Sequence, residues 1–204
     1  MPLQRFSKLD SGRQGAILGA ARAEFAARGY AAASYNTIIR EAGLSKGAMY
    51  YYFADKADLC RTVLDSVLSQ LGEAAGELGD FDDAPGFWAE VRGLSERALA
   101  FMFAMPEVAD LGRLLYDERG SGEVLAPLVA RAEQWCVELL RSGQRVGAVR
   151  SDLRLDFLGA AIVGLLVHTD RWFAQNLHTI ADAELRRLSD VCLHMVEQLA
   201  APVR

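Results

Sequence analysis

Gly43 breaks the chain between two short amphipathic turns, and that break limits what the twenty residues around it can become. Ile38, Ile39 and Ala42 precede it at helical spacing, and Met49 and Phe53, four apart, follow it. At Gly43 the backbone must pass through a left-handed conformation that only glycine adopts without penalty. Ser45 is then the expected cap of a second helix, its hydroxyl accepting a free N–H of the first turn. Asp55 is the expected cap of the next helix, with Lys56 at its first position. Met49 and Phe53 turn one face of the middle helix inward, and Gly47, Tyr50 and Tyr51 lie opposite with Lys46 beside them. Tyr50, Tyr51 and Tyr52 point about 100° apart on a helix, so one core cannot take all three. Tyr52 is expected to be partly structural.

The rest of the chain repeats three- and four-residue apolar spacing, and no stretch sustains the two-residue alternation of a half-buried strand. The reading is an all-α chain of about nine helices. Ser11 and Gln14 suggest a capping box before a helix that runs to Arg28 and closes at Gly29. A fourth helix, from about Asp55 to Leu71, carries Leu59, Val63, Val67 and Leu71 on one stripe, and Gly72, Gly76 and Gly79 follow as a loop. This places a small three-helix domain at 1–54 and a larger helical domain at 55–204, with 55–71 as the connecting helix. Pro85 and Pro106 each start a helix, to about Ala104 and Asp117, because proline suits a first turn. After Gly120-Ser121-Gly122 a long helix runs to about Val146, tolerating Pro127 if that residue lies in its first turn, and Gly147 ends it. The last two helices fall near Leu155–Asn176 and Ala181–Ala200.

Charge divides these domains. Through residue 60 there are eight Lys/Arg against five Asp/Glu, net +3; the remainder has fourteen against twenty-two, net −8. All three lysines, Lys8, Lys46 and Lys56, lie in the basic part. A locally basic head on an acidic body suits specific DNA binding with little indiscriminate adhesion. A helix that reads the major groove needs small residues near the bases and donors on its flanks, and Lys46, Gly47, Ala48, Tyr50 and Tyr51 supply both. Lys56, beside the free N–H groups of a helix start, is a candidate phosphate clamp.

These residues resemble the DNA-binding domain of the TetR family, the tetracycline-repressor-like regulators. The resemblance runs from about Ser11 to Leu71 and rests on Ile17, Ala21, Phe25 and Gly29-Tyr30, on Leu44-Ser45-Lys46-Gly47-Ala48-Met49-Tyr50-Tyr51-Tyr52-Phe53, and on Lys56 and Leu59. It implies a helix-turn-helix domain that contacts double-stranded operator DNA through Ser34, Asn36, Thr37, Ser45, Lys46, Gly47, Ala48, Tyr50, Tyr51, Tyr52 and Lys56. Two roles are open to Asn36: bidentate pairing with adenine, or bonding the local backbone at a helix start. The family often has histidine or tryptophan where this chain has Tyr51, so the base preference there does not transfer.

Phe157 to Val167 is apolar on every side of a helix, which asks for cover all round. Leu185, Leu188, Cys192, Met195 and Leu199 repeat at near-heptad spacing. One reading, in line with the family, is a homodimer in which Leu158, Gly159, Ile162, Leu166, Leu188, Cys192, Met195 and Leu199 meet their copies; the other is burial within one chain. Trp88, Phe101, Met102, Met105, Tyr116, Trp135, His168 and Trp172 suit a pocket for a largely apolar small-molecule effector, and equally suit a helical core. His168, Thr169 and Asp170 interrupt an apolar helix and either bond a ligand or satisfy one another. By resemblance, an effector binding among these helices moves the fourth one and respaces the reading helices.

Gly43-Leu44-Ser45-Lys46-Gly47 matches the G-x-S-x-G pattern of hydrolase nucleophiles, but that chemistry needs a strand before the serine, and a helix is expected there. No metal motif or phosphate loop is present, so neither an enzyme nor a cofactor is expected. Cys60, Cys136 and Cys192, widely spaced and odd in number, read as reduced thiols of a cytoplasmic protein. The eleven-residue apolar run is short for a membrane span. The alternative function is a helical small-molecule-binding protein without a DNA role.

Overall fold

The computed structural model describes residues 5–105, 122–176 and 179–203. Among them are eight helices: α1 (Ser11–Ala32), α2 (Tyr35–Glu41), α3 (Lys46–Tyr52), α4 (Lys56–Ala75), α5 (Ala84–Ala104), α6 (Gly122–Arg145), α7 (Leu155–Asn176) and α8 (Asp182–Ala200). No strand occurs among the described residues, so the chain is all-α as read from its periodicity. The helix expected from Pro106 to Asp117 lies outside the described residues.

Two compact units emerge: one formed by residues 5–71 with 105 and 122–125, the other by 72–104, 126–176 and 179–203. Most of α4 thus packs with the first unit, burying Leu59, Cys60, Val63, Leu64 and Val67 there. This differs from the expected division, in which the helix belongs to the larger domain as a connector.

In the first unit, local sequence sets the helix ends. The α1 cap is Asp10, whose carboxylate accepts from Arg13 N at 2.9 Å, so the cap falls one residue before the expected Ser11 and lacks the Gln partner of a capping box. Gln14 instead donates to the Leu9 carbonyl at 2.8 Å. Gly29, at φ 73°, interrupts α1 where its end was expected. Ile17, Ala21 and Phe25 form the buried stripe of α1 and, with Ile38, Met49, Phe53 and Leu59, are at most 2% exposed.

The second unit centres on Phe87, Val91, Cys136, Leu140, Val149, Leu158, Ile162 and Val163, drawn from α5, α6, the segment after α6, and α7. Pro85 sits in the first turn of α5, whose free N–H groups meet Asp83, and Gly147 turns the chain after α6 with φ 71°. Pro127 falls in the second turn of α6 instead of the first. By length and composition α7 could cross a bilayer, more than its eleven-residue apolar run suggested. Its Leu158, Gly159, Ile162 and Val163 are buried in the unit's own core instead.

Candidate nucleic-acid interface

The two halves of the helix-turn-helix are joined as the sequence requires. Gly43 has φ 65°, and Leu44 N returns to the Ile39 carbonyl at 3.0 Å. The Ser45 hydroxyl accepts from Ala48 N at 3.1 Å and caps α3; the Ser34 hydroxyl accepts from Thr37 N at 3.2 Å and caps α2. Each serine hydrogen remains able to donate outward. Because Ser34 serves as the cap, the local-backbone role open to Asn36 is taken, and Asn36 is exposed with no hydrogen bond among the described residues.

The orientation of α3 follows from its two anchors. Met49 and Phe53 are fully buried, each burial stabilising by about 2–3 kcal/mol. With these inward, Lys46 and Gly47 are exposed, and Tyr50 and Tyr51 keep 47% and 50% of their surface. Tyr52 is half-buried, as expected of a partly structural residue, and its ring meets Tyr51 edge-on at 5.3 Å. Tyr50 rests edge-on against Tyr35 at 5.4 Å. Tyr35, a support that sequence reasoning missed, has a buried hydroxyl without a partner among the described residues, and burial pushes its pKa up to about 12.

Lys56 departs from its expected role. Its ammonium donates to the carbonyls of Tyr30, Ala31 and Ala33 at 2.8, 3.2 and 3.1 Å and lies 4.8 Å from the centre of the Tyr30 ring. An ammonium has three donors, and all three are spent on the end of α1, where unpaired carbonyls collect. Lys56 therefore ties α4 to α1 and is not a free phosphate clamp. At the start of α4, Asp55 caps as expected, accepting from Asp58 N at 2.7 Å.

Residues 17–63 match the family model described as bacterial regulatory proteins, tetR family. This stretch, spanning most of α1 through the start of α4, is therefore similar to the DNA-binding region of that family. No curated protein matches it. A Shewanella sp. PV-4 protein assigned to the TetR transcription regulators is similar in structure at 21% identity, covering 94% of this chain and 99% of that one with a TM-score of 0.70. The regulator FadR of Bacillus subtilis, solved with stearoyl-CoA, is similar at 18% identity over 88% of this chain and 95% of its own, TM-score 0.67. A third similar structure is tylp, a TetR regulator of Streptomyces fradiae, at 21% identity over 94% and 87%, TM-score 0.67. The likeness extends over both units, so the chain has the fold of a TetR-family transcription regulator.

The second unit corrects several expectations. Leu158, Gly159 and Ile162 were expected at a dimer interface but are buried within the chain. A Cβ on Gly159 would come within 2.9 Å of Val137 Cγ2, so the small residue serves the packing of α7 on α6. Leu166 follows Leu158 and Ile162 on the same face of α7, the core-facing one, yet stays 39% exposed. The opposite face of α7 presents Phe157, 62% exposed, then Ala161, Gly164, His168 and Trp172, with open space beside Gly164. On α8, Val191 and Met195 are exposed and Leu188, Cys192 and Leu199 half-buried.

The expected effector residues scatter. Trp88 packs edge-on against Phe87 at 5.0 Å, within the core. Trp135 is 60% exposed and lies about 100° around α6 from the buried Cys136. His168 and Trp172 belong to the outward face of α7, Met105 belongs to the first unit, and Tyr116 lies outside the described residues. Phe101 and Met102 do continue the inward stripe of Val91 and Leu94, and Met102 retains 38% exposure. Of the polar trio, His168 bonds the Gly164 carbonyl at 2.8 Å and Thr169 those of Leu165 and Leu166, so both are satisfied by their own helix. Asp170 has no partner among the described residues. Water reaches its carboxylate, but protein crowds it on most sides, and this desolvation pushes its pKa up to about 6. The same environment raises the Cys192 thiol, chiefly by burial. Among the described residues no group of three or more His, Cys, Asp or Glu side chains could hold a metal.

Proposed function

We propose that this chain is a transcriptional regulator, most simply a repressor, which binds a pseudo-palindromic operator as a homodimer and is released by a small-molecule effector. One observation carries the reading: α3 buries Met49 and Phe53 and turns Lys46, Gly47, Tyr50 and Tyr51 outward. That face offers a cation, two ring faces with hydroxyls, and a glycine that lets the backbone approach base edges. Ser34, Asn36, Thr37, Ser45 and Ala48 flank it, and Asn36 has its amide free for an adenine. Lys56 holds the domain together.

The dimer is supported by apolar surface that one chain leaves uncovered, Phe157 and Trp172 on α7 with Val191 and Met195 on α8, and by the half-buried Ala161, Gly164, Leu188 and Leu199 along the same stripes. Two adjacent helices with open apolar stripes favour a symmetric four-helix packing with their copies, which would set two reading helices about one DNA turn apart. The effector reading rests on the inward stripes of Phe101, Met102 and Leu166, which stay partly open, with Asp170 one helical turn beyond Leu166 as a polar anchor. FadR of Bacillus subtilis holds stearoyl-CoA, and a long apolar chain suits such stripes. Asp170 adds a preference for a group that donates a hydrogen bond or carries positive charge. Such a regulator acts in the cytoplasm and needs neither a cofactor nor a reaction of its own.

The test is a salt series with duplex fragments selected from random sequence. Steep loss of binding as salt rises, and a shallower slope for Lys46→Ala at unchanged thermal stability, are the expected results. Salt-independent or absent duplex binding would leave the alternative, a helical small-molecule-binding protein without a DNA role.

A further inference from the structure

Just before α1, residues 5–8 make a tight turn against the reading surface, and the side chains of Arg5 and Phe6 part company. Phe6 goes inward: it is 5% exposed, 4.9 Å from the Phe53 ring and 6.5 Å from the Tyr52 ring. Arg5 goes outward, and its guanidinium carbon lies 4.3 Å from the centre of the Tyr51 ring. An aromatic chain therefore links the buried foot of α3 to an exposed cation beside its outward face. No carboxylate pairs with Arg5 among the described residues.

Stacking leaves a guanidinium's chemistry intact. The guanidinium lies over the ring, and none of its five N–H donors is spent on a carboxylate among the described residues. A guanidinium held over a ring has less rotamer freedom left to lose when it meets a phosphate. An isolated surface arginine would have to be ordered first. Phe6 anchors the backbone of the arm and Tyr51 the side chain, so both ends of Arg5 are placed before DNA arrives.

We propose that Arg5, stacked on Tyr51, is a backbone-clamping residue of the DNA interface, gripping a phosphate next to the position that Tyr51 addresses. This rests on the DNA-binding reading above and adds a contact from outside the helix-turn-helix. It also gives Tyr51 a second duty, as the platform for a cation.

The experiment measures duplex affinity against salt for the unaltered protein, Arg5→Ala, Tyr51→Leu and the double variant, using the tightest duplex recovered from random sequence. Arg5 is exposed, so Arg5→Ala is expected to unfold at the same temperature as the parent. It should bind about three- to tenfold more weakly at moderate salt, with a slope shallower by about 0.9 for each subunit bound. In the Tyr51→Leu background the same change should cost clearly less, because the guanidinium is no longer held. A slope unchanged by Arg5→Ala overturns the proposal, whatever happens to affinity or base preference. Equal effects of Arg5→Ala with and without the Tyr51 ring overturn the stacking role. If the unaltered protein shows no salt-dependent duplex binding, the DNA reading itself fails, which is a separate result.

Discussion

The two units treat their apolar side chains differently. In the first, the stripes of α1, α2, α3 and α4 close on one another: Ile17, Phe25, Ile38, Met49, Phe53 and Leu59 are at most 2% exposed, and its exposed large aromatics are Tyr50 and Tyr51 on the reading face. In the second, a core at one end of the helices coexists with Phe157, Leu166, Trp172, Val191 and Met195, all large and all at least 39% exposed. A closed core fixes geometry without help, which suits a surface that must match DNA. Open stripes leave stability and shape to be completed by something that binds, which suits a sensor and an interface.

The largest predicted effect probes closure of the first unit. Lys56→Met keeps the apolar stem and removes three hydrogen bonds to the end of α1, and should cost about 2–3 kcal/mol of stability by thermal or urea unfolding. Lys46→Ala should leave stability unchanged. The salt slope should respond the opposite way, falling for Lys46→Ala and holding for Lys56→Met at temperatures where the variant is folded. A stable Lys56→Met protein with a shallower slope would return Lys56 to the phosphate contacts.

A smaller effect separates the two faces of α7. Gly159→Ala gains helix propensity but drives a methyl to within 2.9 Å of a β-branched side chain, so the net result should be a loss of about 1–2 kcal/mol. Gly164→Ala has nothing within 4 Å and should stabilise an isolated protomer by up to about 1 kcal/mol. If the outward face is the dimer contact, the same change should weaken self-association in sedimentation. A Gly164→Ala dimer as tight as the parent, at all concentrations, would move the interface elsewhere.

How much was legible in the sequence follows the same divide. Ser34, Ser45, Asp55 and Gly43 act on neighbours three or four residues away, and an effect of that range is written in consecutive letters. The inward turn of Met49 and Phe53 follows from spacing alone. Lys56 misled because its partners, Tyr30, Ala31 and Ala33, lie more than twenty residues upstream, and a lysine at a helix start reads alike whether it faces phosphate or a carbonyl cluster. Arg5 carried no local signal at all, since its meaning comes from Tyr51 across the fold. On α7 the apolar letters run all the way round, so period could not say which side faces the core. Gly159 and Gly164 look interchangeable until Val137 is placed beside one of them.

The finest discrimination concerns Asp170, the one member of its trio that its own helix leaves unsatisfied. Its folded pKa, pushed up to about 6 by desolvation, stands above the ordinary aspartate value of about 3.9. Below about pH 4 the carboxyl is protonated in both states and costs nothing. Between about pH 4 and 6 the unfolded chain releases the proton while the folded one keeps it, so stability falls as pH rises, and above that window the penalty is complete. Asp170→Asn should therefore unfold at a higher temperature than the parent at pH 7.5, with the gain shrinking steadily towards pH 4. Water reaches this carboxylate, so the difference will be the smallest of the three. A lipophilic cation that occupies the site should erase it by pairing with the ionised form, stabilising the parent more than Asp170→Asn, whereas a neutral apolar compound should stabilise the two alike. A pH-independent difference between the proteins would place Asp170 in open solvent and remove the polar anchor from the effector site.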